Sequence, residues 1–149
     1  MNVIRTDSTH KDFQVLVQLL DKDLAERDGT EHTFYHQFNS ISNLNNVLVG
    51  FERGIPVACG AFKSFDEDTM EIKRMFTPPD YRGKGYAKHI LTSLEEWAIE
   101  LGYRRSVLET GKRQPEAIAL YQKQGYRTIQ NFGQYKGIEN SLCFEKILA

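Results

Sequence analysis

Apolar residues recur every three to four positions in two long stretches and alternate with polar ones, or run continuously, in several short ones. Phe13, Leu16, Val17, Leu20 and Leu24 keep helical spacing, with Asp12, Asp21, Lys22 and Asp23 off the stripe. Ser8 or Thr9 is expected to cap this helix and Asp28-Gly29 to end it. Ala87, Ile90, Leu91, Leu94, Trp97, Ala98 and Leu101 repeat the pattern, and Gly102 supplies a stop. A further helical piece is expected over 30–38, and another opens at Gln114-Pro115-Glu116, with Pro115 at its first position, and closes at Gly125. Strand-like runs occupy 2–5, 46–52, 57–63, 69–76, 105–110, 126–130 and 141–147. Arg53-Gly54-Ile55-Pro56 reads as a hairpin turn and Asp66-Glu67-Asp68 as the next, so the second, third and fourth strands should pair antiparallel. A helical crossover then predicts that 105–110 runs parallel to the strand ending at Phe76. The pattern is α+β, with a mixed, mostly antiparallel sheet of about seven strands and about four helices.

Composition narrows this picture without redrawing it. With 149 residues, 40% of them hydrophobic, and no low-complexity run, a single domain over 1–149 is expected. Nineteen Lys and Arg against 20 Asp and Glu leave a net charge of -1, which gives no global reason to expect nucleic acid or an anionic membrane as partner. No stretch approaches the roughly 18 apolar residues of a membrane span, and the N-terminus shows no apolar signal core, so a cytoplasmic location is the default expectation. Cys59 and Cys143 lie in apolar strand runs without metal spacing and read as buried free thiols. His32 and His36 stand four apart beside Phe34, Tyr35 and Phe38, a spacing that also suits zinc. Thr33 follows the first histidine where a zinc-protease motif has glutamate, and no metal is expected.

Candidate chemistry centres on Met70 to Tyr86, where a strand breaks at Pro78-Pro79 and re-emerges as a helix. Gly83 and Gly85 let the backbone approach a ligand, and Arg82, Lys84 and Lys88 surround it with positive charge. The first helical turn adds outward N–H groups and about half a positive charge, a suitable seat for a pyrophosphate. A dinucleotide fingerprint would need a third glycine where Lys88 stands, and a Walker A loop would need Ser or Thr where Gly85 stands. What remains is Arg82-x-x-Gly85-x-Ala87 after a strand carrying Glu71. Farther along, Ala117-Ile118-Ala119-Leu120-Tyr121 leads through three residues into Gly125-Tyr126.

The first pattern resembles the acetyl-coenzyme A motif Gln/Arg-x-x-Gly-x-Gly/Ala of the GNAT N-acetyltransferase superfamily, and the second is similar to its Ala-x-x-Leu-Tyr-x-x-x-Gly-Phe/Tyr segment. The resemblance is close over Met70 to Tyr126 and rests on element order alone in the N-terminal third. It implies the GNAT-like acyl-CoA N-acyltransferase fold and transfer of an acetyl group from acetyl-CoA, as co-substrate, to a primary amine of a small molecule, peptide or protein by direct attack. Main-chain atoms of Met75, Phe76 and Thr77 would hold the pantetheine arm, with a backbone N–H near Met75 polarising the acyl carbonyl. The turn of Arg82, Gly83, Lys84, Gly85, Tyr86 and Ala87 would hold the pyrophosphate. Relatives carry an asparagine before the following helix; this chain has Gln114 there, which is expected to substitute.

An alkyl ammonium of pKa about 10.4 is almost wholly protonated at pH 7, which costs about 4.6 kcal/mol of available nucleophile, so a base or a water chain must take the proton. The resemblance offers Glu71, with Glu109 as a second candidate. Glu71 as a strand carboxylate paired with Lys73 stands beside that reading. Tyr121 occupies the general-acid position next to the departing thiolate and is also counted among the cofactor contacts; plain packing is the alternative, and Tyr126 reads as core. A module that senses acyl-CoA without turnover is the rival function, and a homodimer is left open.

Overall fold

The computed structural model describes residues 1–28 and 44–149. In chain order the elements are β1 (Asn2–Thr6), α1 (Lys11–Asp28), β2 (Asn46–Glu52), β3 (Ile55–Ser64), β4 (Thr69–Phe76), α2 (Tyr86–Glu100), β5 (Arg105–Gly111), α3 (Pro115–Lys123), β6 (Arg127–Ile129) and β7 (Ser141–Ile147), with single 3₁₀ turns at Pro79–Tyr81 and Gly133–Tyr135. The seven strands match the expected number. Among the described residues there are three α-helices rather than about four; the helix expected over 30–38, with His32, Phe34, Tyr35, His36 and Phe38, lies outside the described residues.

The strands form one sheet in the order β1-β2-β3-β4-β5-β7-β6. Every neighbouring pair is antiparallel except β4 and β5. The β2–β3 hairpin turns on two residues, Arg53 at φ 53° and Gly54 at φ 79°, the left-handed pair that matches the twist of the flanking strands. This is tighter than the four-residue turn read from the sequence.

Both faces of the sheet are covered, which is why its central strands are apolar almost without interruption. Phe13, Leu16, Val17 and Leu20 of α1 pack on Val47, Val49, Cys59, Ala61 and Phe76. The alternate residues Leu48, Ala58, Phe62, Met70, Ile72, Leu108 and Phe144 face the other way, against Ile90, Leu91, Leu94 and Ala98 of α2 and Tyr121 of α3. Leu101 departs from the predicted stripe: it follows the last residue of α2 and is 54% exposed. The expected cap of α1 is also corrected. Thr9 donates both its N–H and its hydroxyl to Asp7 Oδ1, and it is His10 Nδ1 that accepts the Asp12 N–H at 3.2 Å.

Two irregularities shape the middle of the sheet. The parallel ladder of β4 and β5 runs only from Thr69↔Arg105 to Glu71↔Val107, after which the strands have no pairing and leave a wedge between them. On the other edge of β4 the partners step from Ala61↔Lys73 to Cys59↔Phe76, so Arg74 and Met75 together face Gly60 alone. This is a bulge, and Arg74 sits in it at φ 57°.

Candidate active site

The wedge opens into two adjoining cavities. The larger, of about 500 Å³, is a groove bounded by Met75, Phe76 and Thr77 of β4 and its extension, by the turn from Arg82 to Lys88, and by Ala117, Leu120, Tyr121 and Gln124 of α3. The smaller, of about 90 Å³, lies deeper in the wedge and is lined by Glu71, Lys73, Arg74, Glu109, Tyr121 and Tyr135, among others. Met75, Gln114 and Tyr121 line both. Eleven positions were expected to contact the cofactor, from Met75 to Tyr121, and all eleven line the groove save Lys84, which is exposed beside it, its ammonium 5.9 Å from the centre of the Tyr81 ring.

The turn over the groove is built by chain chemistry. Pro79 opens a 3₁₀ turn, and Arg82 Nε donates to the Thr77 carbonyl at 2.8 Å, tying the far side of the loop back to the end of β4. Gly83 and Gly85 both take φ 80°, and Gly85 is the residue from which α2 starts. A Cβ at either glycine would meet nothing within 4 Å, so these glycines are required by their backbone angle, and the space above them is open to a ligand. Tyr86 lines the groove while its hydroxyl donates to Glu52 Oε2 at 3.0 Å. Unpaired first-turn N–H groups, two glycines and the cations Arg82, Lys84 and Lys88 suit a pyrophosphate.

The smaller cavity gathers titratable side chains. Glu71 is 3% exposed, and its Oε2 lies 3.3 Å from Lys73 Nζ. The pairing left open at the sequence level is therefore present, but the carboxylate is buried in the wedge and not solvated. Burial holds the Lys73 ammonium below its usual pKa, against the pull of Glu71. Lys73 Nζ also approaches the Tyr135 hydroxyl at 3.4 Å. Glu109 Oε2 accepts from Ser141 Oγ at 2.7 Å. Tyr121 is 6% exposed and its phenol is pushed upward, first by burial and then by Glu109. No hydrogen bond fixes its hydroxyl among the described residues, so that group is free to turn towards a ligand in either cavity. Tyr126 is core, with its hydroxyl 2.7 Å from Ser106 Oγ and donating to Glu95 at 2.9 Å. Cys59 and Cys143 are buried free thiols, and burial raises them to about 12 and about 11.

Sequence reasoning missed Arg74 and gave Tyr135 no role of its own. Tyr135 stands two residues after Gly133 in the loop between β6 and β7, a loop that the resemblance marks only as a whole, as a place where relatives build acceptor pockets. Arg74 occupies a position that strict strand alternation would turn towards α2; the bulge sends it to the α1 side instead, where its Nη2 donates to Asp21 Oδ1 at 2.7 Å.

The model of the acetyltransferase (GNAT) family matches residues 13–126. The chain belongs to that family. It is accordingly an acetyl-CoA-dependent acyltransferase. An "IAA acetyltransferase" from Azospirillum brasilense is 33% identical over 135 residues, covering 89% of this chain and 88% of that protein. A Klebsiella pneumoniae structure proposed as an acyl-CoA N-acyltransferase superposes with a TM-score of 0.83 at 28% identity, covering 99% and 97% of the two chains. A proposed acetyltransferase from Salmonella typhimurium, solved with its cofactor acetyl-CoA, shares the fold with a TM-score of 0.71 at 16% identity, covering 100% and 94%. No described helix is long and apolar enough to cross a membrane.

Proposed function

We propose that this single domain acetylates a primary amine by direct attack, with the donor along the larger groove and the acceptor in the smaller cavity. The observation that carries this reading is the meeting of the two cavities at Met75, Gln114 and Tyr121, which brings a phosphate-binding turn and a buried carboxylate to opposite ends of one wedge. The donor supplies an acetyl thioester. On β4, the edge that has lost its β5 partner beyond Glu71 offers main-chain N–H groups near Met75 to the acyl oxygen, where charge develops in the transition state.

Glu71 takes the proton that the attacking ammonium must lose, directly or through water, and Lys73 holds that carboxylate in the wedge. As the carbon–sulfur bond breaks, the Tyr121 hydroxyl donates to the sulfur. Its burial suits it to this role: a phenol pushed above its ordinary pKa keeps its proton at neutral pH, while a departing thiolate of conjugate-acid pKa near 8.5 accepts one readily. Gln114 and the turn from Arg82 to Ala87 hold the donor. We assign the protein to the cytoplasm, where free thiols such as Cys59 and Cys143 persist.

The deciding measurement is release of free coenzyme A thiol on mixing the protein with acetyl-CoA and primary amines of varied chemistry, with the acetylated product identified by mass. Amine-dependent release, with acetyl on nitrogen, is expected. Coenzyme A binding without release for any amine would remove the catalytic roles assigned to Glu71 and Tyr121.

A further inference from the structure

The bulge in β4 places an arginine where the acceptor cavity lies, and that arginine is incompletely used. Arg74 has φ 57°, a conformation that a non-glycine residue adopts at a cost and that persists where the surroundings impose it. Its side chain is 2% exposed. Asp21 of α1 occupies Nη2 at 2.7 Å, but among the described residues Nε and Nη1 are buried without a hydrogen-bond partner. A buried guanidinium with two of its three nitrogens unmet is a demand for an acceptor, because donors taken from water lose hydration that nothing on the protein replaces.

The other charges around the cavity do not answer that demand. Glu71 pairs with Lys73 and Glu109 accepts from Ser141, and among the described residues neither carboxylate bonds Nε or Nη1 of Arg74. Asp21 holds the guanidinium from the α1 side, which fixes its plane. The cavity of about 90 Å³ that Arg74 and Glu71 both line has room for several water-sized groups, enough for a carboxylate and the amine beside it. A carboxylate is the small anion whose planar pair of oxygens matches one edge of a guanidinium, and because Nε and Nη1 lie on different edges it meets one of them together with an N–H of Nη2, which has a second hydrogen beyond the one given to Asp21. Glu71 and Glu109, on the same cavity, are matched to an ammonium.

Resting on the acetyl-transfer reading above, we propose that the acceptor is an amine that also carries a carboxylate, and that Arg74 receives the carboxylate while the amine faces Glu71. Arg74 is then the residue that separates amino acids and their relatives from plain amines. The bulge is the device that turns it to the acceptor side of the sheet.

The test uses matched acceptors: phenylalanine, phenylalaninamide and 2-phenylethylamine; leucine, leucinamide and 3-methylbutylamine; 4-aminobutyrate and propylamine. Thiol release is followed for the parent, Arg74→Met and Arg74→Lys, each checked by melting curve. In the parent each acid should exceed its neutral partner or partners in kcat/KM by about 10-fold or more, since a site built to bond a polar group rejects the analogue lacking it. Arg74→Met should abolish that preference through KM, leaving kcat and the plain amines little changed, and Arg74→Lys should keep part of it. A parent with no preference for acids, or a preference that survives in Arg74→Met, overturns the proposal and leaves Arg74 as a strut to Asp21 with water on its other nitrogens. If Arg74→Met does not fold, the Arg74→Lys ratio decides in its place. A second arm is independent of turnover: calorimetric titration of N-acetylphenylalanine into the coenzyme A-loaded protein should show binding that Arg74→Lys weakens. Failure of every amine to react would sink the acetyl-transfer reading, whereas absent or Arg74-insensitive binding in this arm sinks the carboxylate site.

Discussion

Tyr121 is the residue on which catalysis and mere cofactor binding part company. Tyr121→Phe removes one oxygen from a buried side chain that lines both cavities, so packing against Tyr126 and Phe144 should survive. Acetyl transfer should fall by about 10- to 1,000-fold, overlapping the range for one general acid, with coenzyme A affinity nearly unchanged. Steady-state turnover beside calorimetric affinity measures this, and unchanged turnover would reduce Tyr121 to packing. The direction of its pKa adds a pH test. Because burial raises the phenol above its ordinary value of 10.0, the proton is kept through neutral and mildly alkaline pH, and no loss of kcat due to Tyr121 should appear below pH 10. A decline below that pH that vanishes in Tyr121→Phe would count against the burial account. Glu71→Gln keeps the shape but not the charge, and should lower kcat/KM by about 10²- to 10⁴-fold, with Glu109→Gln milder. The reverse order would move the base to Glu109. The sequence pointed to Glu71 and Tyr121 through motif position, but the state of Glu71 was open because a strand residue's burial depends on what crosses above it.

At the scale of elements, the loop between β4 and α2 carries the cofactor prediction. Gly85→Val asks a β-branched residue to hold φ 80° and places its side chain in the open space above the turn, so coenzyme A affinity should drop sharply in a protein that still folds. Lys84→Ala should be milder, since Lys84 is exposed and the backbone donors remain. Calorimetry on both variants gives the comparison; equal affinity of Gly85→Val and the parent would displace the pyrophosphate from this turn. Gly60 makes a second element-level case. A Cβ there would stand 2.6 Å from Met75 Sδ, 2.8 Å from Ile90 Cγ2 and 2.9 Å from Leu94 Cδ1, so Gly60→Ala forces apart the bulge in β4 and the α2 face. Overpacking of this kind costs about 1–3 kcal/mol, visible in a denaturant midpoint, and Met75 should lose its place at the wedge, lowering activity further. A variant as stable as the parent would show that Met75 moves aside freely. The hairpin at Arg53-Gly54, the glycine turn and the start of α3 at Pro115 were legible because turn chemistry is local. The bulge was not, since Arg74 is as ordinary in a strand as its neighbours.

For the whole molecule, the buried acids predict the shape of the pH–stability curve. Cys59, Cys143, Tyr121, Tyr126 and Tyr135 all have their acid groups raised, in each case first by burial. The folded state therefore binds these protons more tightly than the unfolded chain, whose thiols and phenols titrate near 8.5 and 10. Their contribution is intact below those values and is lost as pH rises above them, so stability should decline from about pH 9 upward. Urea midpoints between pH 7 and 11 measure it, and a flat curve across that window would contradict the burial assigned to these side chains.

By itself the sequence determined the seven strands and three helices among the described residues, the apolar faces of α1 and α2, and the glycine turn with its cations. These follow from periodicity and turn residues, whose physics is settled within a few neighbours along the chain. Only the tertiary structure decided that β7 enters between β5 and β6, that β4 and β5 part after Glu71↔Val107, and that Arg74 turns towards α1. Each of these is fixed by partners far away in sequence: β7 fills the edge that β5 leaves open, and Met75 beside Gly60 sets which way the bulge throws its side chains. The residues of the smaller cavity come from α1, β4, β5, α3 and its approach, and the loop before β7, so their meeting is a consequence of strand order, of helix packing and of the wedge, which no local pattern encodes.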